Sequence, residues 1–325
     1  MRLLVTGATG KVGNAVARRL AERGDEVVAL VRDVAAAREG LPAGVQLVRG
    51  DVTDPASVHR AAEGVEGVFN CMGIYEQWLP DDGRFEEVNA QGALTVVAAA
   101  RQAGARRVVH TSTFDVFHAE QGGTLDETQL ADYPKGTSYE RSKQRAEELV
   151  LGDAAAGIEV VIVNPAGVYG PGPWAGAGLD GVLRDVIRRR LPALPPGGLT
   201  LAHVDDVAAG HLAAFERGSP GERYILADGF ATNAEIARAA VEEAGRGWVP
   251  PTIPVSVARG VAAAGERVAA LIRRPPLLPA GQLHFLLWQA RIDNTKAREE
   301  LGVVFRPWQQ GIRETVRWMA ETGRV

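Results

Sequence analysis

Residues 3–13 read Leu-Leu-Val-Thr-Gly-Ala-Thr-Gly-Lys-Val-Gly, a short apolar run followed by glycines at the spacing G-x-x-G-x-x-G. A run of this kind, without alternation, is the pattern of a strand buried on both faces. From residue 12 to residue 23 the periodicity turns helical. Strand, glycine turn and helix in that order make the first half of a βαβ unit, which commits the chain to a parallel sheet with helices on its faces. The start of such a helix offers unpaired N–H groups and the positive end of a dipole, the place where a dinucleotide pyrophosphate binds. Gly7 and Gly10 let backbone approach the phosphates, and Gly13 lets the helix pack close to the strand. Gly7, Thr9, Gly10, Lys11 and Val12 are therefore the expected pyrophosphate contacts. A tight turn that binds nothing is the alternative reading of the glycines alone.

Strand and helix signals keep alternating through the first half, as in a doubly wound parallel sheet. Strands are expected at 2–6, 26–31, 45–49, 67–70, 107–111 and 159–163, with the clearest helices at 89–103 and 138–156. Loops rich in Pro and Gly at 170–178 and 192–198 precede a change of character. Beyond them the chain reads as mostly helical, with a short strand at 223–226 and late helices near 255–273, 281–290 and 308–322. The expected organisation is α/β. Residues 1–170 form a Rossmann domain to which 199–217 return, and 171–325 form mainly a smaller, mostly helical C-terminal lobe that binds substrate.

The end of the second strand bears on which dinucleotide binds. An NAD site usually places Asp or Glu there, on the ribose hydroxyls. Here the strand ends in Val31, and Arg32 and Asp33 follow. A guanidinium can pair with the 2′-phosphate of NADP, and Lys11 could assist, so NADP is expected rather than NAD. Arg32 could instead be an ordinary surface arginine, and Asp33 could still reach a ribose. After the third strand, Asp51 and Val52 are placed for the adenine, although Asp51 could equally cap the next helix.

The chemistry is expected at Tyr139-Glu140-Arg141-Ser142-Lys143, where Tyr139 and Lys143 share one helical face at i, i+4. A phenol is a poor base at neutral pH, and a nearby ammonium together with an oxidised nicotinamide would favour its phenolate. Thr111, Ser112 and Thr113 end the fifth strand, at the sheet edge where such folds bind ligands. Thr113 or Ser112 could hydrogen-bond a substrate oxygen beside Tyr139. His110, His118 and His203 lack metal-ligand spacing, and His203 is expected to cap the helix after it.

The segments T-G-A-T-G-K-V-G (6–13), T-S-T (111–113) and Y-E-R-S-K (139–143) resemble the extended short-chain dehydrogenase/reductase superfamily. Val88 to Gly92, Asn164-Pro165, Val168 to Gly172, His203 to Ala208, Asp293 to Ala297 and Gly311 to Val316 extend the resemblance over nearly the whole chain. It implies Tyr139 as general acid/base, Lys143 as its partner and holder of the nicotinamide ribose, and Thr113 in a place usually held by serine, with Ser112 nearby. It also implies that Asn89 supports the central helix and that Pro165 to Val168 line the nicotinamide. Nucleotide-sugar epimerases of the superfamily usually carry Arg-Pro where this chain has Asn164-Pro165, and the chain looks more like the dihydroflavonol-4-reductase-like branch.

Three functions compete. The first is an NADP(H)-dependent carbonyl reductase, the second a nucleotide-sugar epimerase or dehydratase with tightly held cofactor. The third, a redox sensor that binds NADP without turnover, would not need Tyr139 and Lys143. A net charge of -4 offers no electrostatic case for nucleic acid or acidic membranes, and no apolar run is long enough to span a bilayer. Glycines at 7 and 10 break the N-terminus too early for a signal peptide, and Cys71 stands alone, so a reducing cytoplasm is expected. The expected partner is a small, partly apolar molecule near the loop 75–85 with Trp78, the loop 170–178 with Trp174, and the segment 275–288. A homodimer is compatible with the sequence, which carries little signal on oligomeric state.

Overall fold

The structure, a computed structural model, describes residues 1–173 and 178–325. In chain order the first half runs β1 (Arg2–Thr6), α1 (Lys11–Glu22), β2 (Glu26–Val31), α2 (Val34–Gly40), β3 (Gln46–Arg49), α3 (Pro55–Ala62), β4 (Gly67–Asn70), α4 (Gly83–Phe85), α5 (Gly92–Gln102) and β5 (Arg107–Thr111). Then follow β6 (Thr124–Leu125), α6 (Ser138–Ala154), β7 (Glu159–Pro165), β8 (Gly167–Tyr169), α7 (Gly178–Ile187), β9 (Gly198–His203), α8 (Val204–Arg217) and β10 (Arg223–Leu226). The remainder is β11 (Gly229–Thr232), α9 (Asn233–Ala244), α10 (Val255–Ile272), α11 (Ala280–Trp288), β12 (Arg291–Ile292), α12 (Thr295–Leu301) and α13 (Trp308–Glu321).

Seven strands form one parallel sheet in the order β10-β7-β5-β4-β1-β2-β3. The order reverses between β1 and β4, and ligands of such sheets bind at the carboxyl ends beside that reversal. In β1, Leu3 and Val5 enter a core shared with α1 and α8, while Leu4 enters the core of the opposite face with α3, α5 and α6. Full burial on both faces is why this strand is apolar at each of those positions. The chain beyond residue 170 contributes to the same sandwich, with β10 at the sheet edge and Val207, Ala208 and Phe215 of α8 in the core beneath α1.

Two differences from the sequence reading concern the site. Two strands of the region read as mostly helical, β9 and β11, join β8 in a second sheet, and β9 (Gly-Leu-Thr-Leu-Ala-His) has too little β-branched character to stand out. The helix expected to begin at residue 89 begins earlier, at Gly83, and passes through a π-helical turn, Glu86–Gln91. Inside that turn the Asn89 side chain accepts from Ile74 N and donates to Ile74 O and Ser142 Oγ. A wider turn aims one side chain inward against α6, a feature common at functional sites.

Candidate active site

The glycine turn is shaped for close approach. Gly7 has φ +66°, and a Cβ there would stand 2.6 Å from Cys71 O; a Cβ on Gly13 would collide with Gly7 O. Gly10 occupies the N-cap of α1 with no capping side chain, and no acid stands in the first turn. The first-turn amides thus have neither intrahelical nor side-chain partners, and the turn fits a dinucleotide pyrophosphate.

At the end of β2, Arg32 is exposed and has no hydrogen bond or ion pair among the described residues. Asp33 accepts from Ala35 N and Ala36 N through Oδ1 and caps α2, so one of its carboxylate oxygens is already committed. The Lys11 side chain does not stand with Arg32. It pairs with the buried Asp180 of α7, which also accepts from Gly170 N. Asp51 does not cap α3; Asp54 does, accepting from Ala56 N. Asp51 instead accepts from Thr53 N and Oγ1. Burial opposes its charge, but those bonds and the positive charges of Arg32 and Arg84 hold its carboxyl below the usual range. Val52, next to it, is buried. A cavity of about 340 Å³ lies between the glycine turn and α2, lined in part by Thr9, Ala36, Gly40 and Pro173.

The chemical groups gather at the end of β5. A capping box between Thr137 and Glu140 starts α6, and Tyr139 and Lys143 follow, both buried. Lys143 Nζ donates to Thr111 O at 2.8 Å. Burial drives its ammonium down to about 8, against the charge of Glu147. The protein groups around Tyr139 act in the opposite direction to the ammonium and oxidised nicotinamide expected to favour its phenolate. Burial, followed by the negative charges of Asp115 and Glu140, pushes that phenol well above its ordinary value, with only the Thr113 hydroxyl opposing. Tyr139 therefore holds its proton.

Thr113 sits between Tyr139 and a residue the sequence reading missed. Its Oγ1 donates to Asp115 Oδ2 at 2.9 Å, and its carbonyl accepts from Asn164 Nδ2 at 3.0 Å. Asn164 Nδ2 also donates to Glu147, which binds Arg223. Asp115 is buried with Oδ1 lacking a partner among the described residues. Burial and the nearby Glu140 push its carboxyl up to about 7, against the Thr113 bond and Lys135. A single acid between the apolar Phe114 and Val116, directly after the T-S-T segment, was the available signal. Ser112 Oγ is likewise buried and unpartnered. Pro165 ends β7, and Val168 lies in β8 of the second sheet, which follows directly in the chain.

An aromatic wall stands beside these groups. Phe114 stacks on Trp288 of α11 at 5.4 Å and meets Phe285 edge-on. Trp288 Nε1 donates to Ala119 O, and Lys135 Nζ lies 4.5 Å from its ring centroid. Trp78 is half-buried, and Trp174 lies outside the described residues. His203 caps α8 as expected, its Nδ1 accepting from Asp205 N. Burial pushes the Cys71 thiol up to about 12, consistent with no chemical role for it.

A family profile described as the NAD dependent epimerase/dehydratase family matches residues 3–227. The chain belongs to that family. Its members include enzymes of the extended short-chain dehydrogenase/reductase type, and this chain is one of them. It is 32% identical over 331 aligned residues to sterol demethylase protein B of Methylococcus capsulatus, covering all of both chains. It is also 32% identical to the 4-hydroxy-2-methyl-3-oxo-4-farnesyl-3,4-dihydroquinoline-1-oxide ketoreductase of Stigmatella aurantiaca, covering 96% of this chain and 95% of the other. Among solved structures, the UDP-glucose 4-epimerase of Thermus thermophilus in complex with NAD is 25% identical, with a TM-score of 0.78 over 98% of this chain and 99% of that one. No described helix is long and apolar enough to cross a membrane.

Proposed function

We propose that this family member is an NADP(H)-dependent reductase of a bulky, partly apolar carbonyl compound, with Tyr139 as proton donor. The observation that carries the cofactor half is Arg32, a guanidinium left in solvent at the end of β2, where the nearest acid, Asp33, is spent on capping α2. Gly7, Thr9, Gly10, Lys11 and Val12 would hold the pyrophosphate through the turn and first-turn amides, Arg32 the 2′-phosphate, Asp51 and Val52 the adenine, and Lys143, Pro165 and Val168 the nicotinamide end. A bound nicotinamide dinucleotide supplies hydride. The chain's own work is to position and protonate. Ser112, whose Oγ has no partner among the described residues, or Thr113, on exchanging its bond to Asp115, would polarise the substrate oxygen, and Tyr139 would give it the proton that burial keeps on the phenol. Lys143, at about 8, stays charged enough at neutral pH to offset the phenolate left behind. Partly exposed Phe285 and Trp288 of α11, packed on the buried Phe114, would favour an apolar substrate. The resemblance to a ketoreductase supports the same reaction.

The test follows nicotinamide absorbance after dialysis, with NADPH added to a panel of bulky ketones and aldehydes and, separately, to nucleotide sugars. NADPH consumed mole for mole with a carbonyl is the expected result. A nucleotide sugar isomerised or dehydrated without net change in NADPH would replace this reading by an epimerase or dehydratase.

A further inference from the structure

Helix α10 buries one narrow stripe, Ala258, Ala262 and Ala269, of which Ala258 and Ala262 pack with Leu283 of α11. A second stripe faces solvent and is apolar. Val257 is 48% exposed, Val261 41%, Val268 52% and Leu271 84%, at spacings that keep them on one helical face. Ile272 follows, and Leu277, in the Arg-Arg-Pro-Pro-Leu-Leu-Pro turn after the helix, is 91% exposed. The face runs the length of the helix, about 27 Å at 1.5 Å per residue. Contiguous exposed apolar surface of this extent marks an interaction site.

Charge decides what the face fits. From residue 255 to residue 279 the chain carries Arg259, Arg267, Arg273 and Arg274 against one acid, Glu266. Glu266 accepts from Ala280 N, and none of the four arginines has an ion pair among the described residues. A net charge of -4 for the whole chain conceals this basic segment. If a second copy packed on the same face, a two-fold axis would bring arginines toward arginines with no free acid to pair them. An anionic lipid surface satisfies both features at once, taking the apolar stripe into the acyl boundary and Arg267, Arg273 and Arg274 at the headgroups.

We infer that α10 and the turn after it dock this protein in the plane of an anionic membrane surface, without crossing it. The docked helix packs directly on α11, whose Trp288 and Phe285 form the wall beside Phe114. The inference does not depend on carbonyl reduction. If that reading holds, the geometry also places the bilayer one helix away from the site of an apolar substrate.

The experiment is co-sedimentation of the full chain with vesicles of phosphatidylcholine alone and of phosphatidylcholine mixed equally with phosphatidylserine. Binding to the anionic vesicles should exceed binding to the neutral ones by about 10-fold or more and fall as salt is raised. A Val261→Asp/Leu271→Asp double variant should lose binding to both vesicle types. Arg273→Ala/Arg274→Ala should lose only the anionic preference. Each is checked for an unchanged thermal unfolding curve, and sedimentation velocity runs alongside. Wild-type protein that ignores anionic vesicles, or that binds them undiminished after Leu271→Asp, would overturn the inference. A wild-type dimer that Leu271→Asp dissociates would assign the face to a second copy instead.

Discussion

The carboxyl ends of β5 and β2 belong to one parallel sheet, yet they treat polar side chains in opposite ways. At β5, Thr113, Asp115, Tyr139 and Lys143 are all buried and lie within one polar cluster. At β2, Arg32 stands in solvent without a partner among the described residues. The difference matches two kinds of work. A proton to be transferred gains from being held out of water, where its donor's pKa is set by a few chosen neighbours. A charge that recognises a phosphate gains from staying hydrated and unpaired until the ligand arrives, because breaking an existing ion pair would cost affinity. Lys11 illustrates the alternative, since its pairing with Asp180 has already committed it.

The contrast can be broken at four points. Replacing Tyr139 with Phe keeps the ring against Phe85 and removes only the proton. Turnover should fall about 10²–10⁴-fold while dinucleotide binding, followed by fluorescence titration, is unchanged. Turnover near the wild-type level would remove Tyr139 from the chemistry.

Asp115 gives the next largest effect, and it is a stability effect with a definite sign. Its carboxyl is raised from 3.8 to about 7 in the folded protein. Between those values the folded state binds the proton that the unfolded state has released, so stability falls as pH rises from about 4 to 7 and the loss is complete above that. The loss is on the order of 4 kcal/mol at most. Asp115→Asn cannot ionise and should lose this slope, so urea unfolding at pH 5 and pH 8 should show the variant gaining on the wild type at the higher pH. Parallel pH dependence for the two proteins would mean that Asp115 is ionised throughout.

The β2 end should respond through binding alone. Arg32→Ala should weaken NADP by about 1–3 kcal/mol and leave NAD unaffected, as isothermal titration of both dinucleotides into both proteins would show. Equal losses would make Arg32 a bystander. The smallest effect sharpens the same point. Asp33→Ala should cost about 1 kcal/mol of stability through the lost cap and leave the NADP:NAD preference where it was. A changed preference would mean that Asp33 leaves the cap to reach the ribose.

What could be read from the residues in order was whatever depends on near neighbours along the chain. The strands at 2–6, 26–31, 67–70 and 107–111 are where continuous apolar runs place them, and Tyr139 and Lys143 share a face because helical geometry requires it. The glycine turn declared itself because a left-handed φ at Gly7 and a close helix at Gly13 leave no room for a side chain. Tertiary structure alone decided the partners. Lys11 meets Asp180 across 169 positions, a pairing that no local pattern encodes. Asp115 became a raised carboxyl because the fold buries it and brings Glu140 of α6 near it, which outweighs the opposing Thr113 and Lys135. The valines and the one leucine of α10 look like core in sequence. They lie exposed because the alanine face of that helix, able to approach α11 more closely, is the one the fold buries.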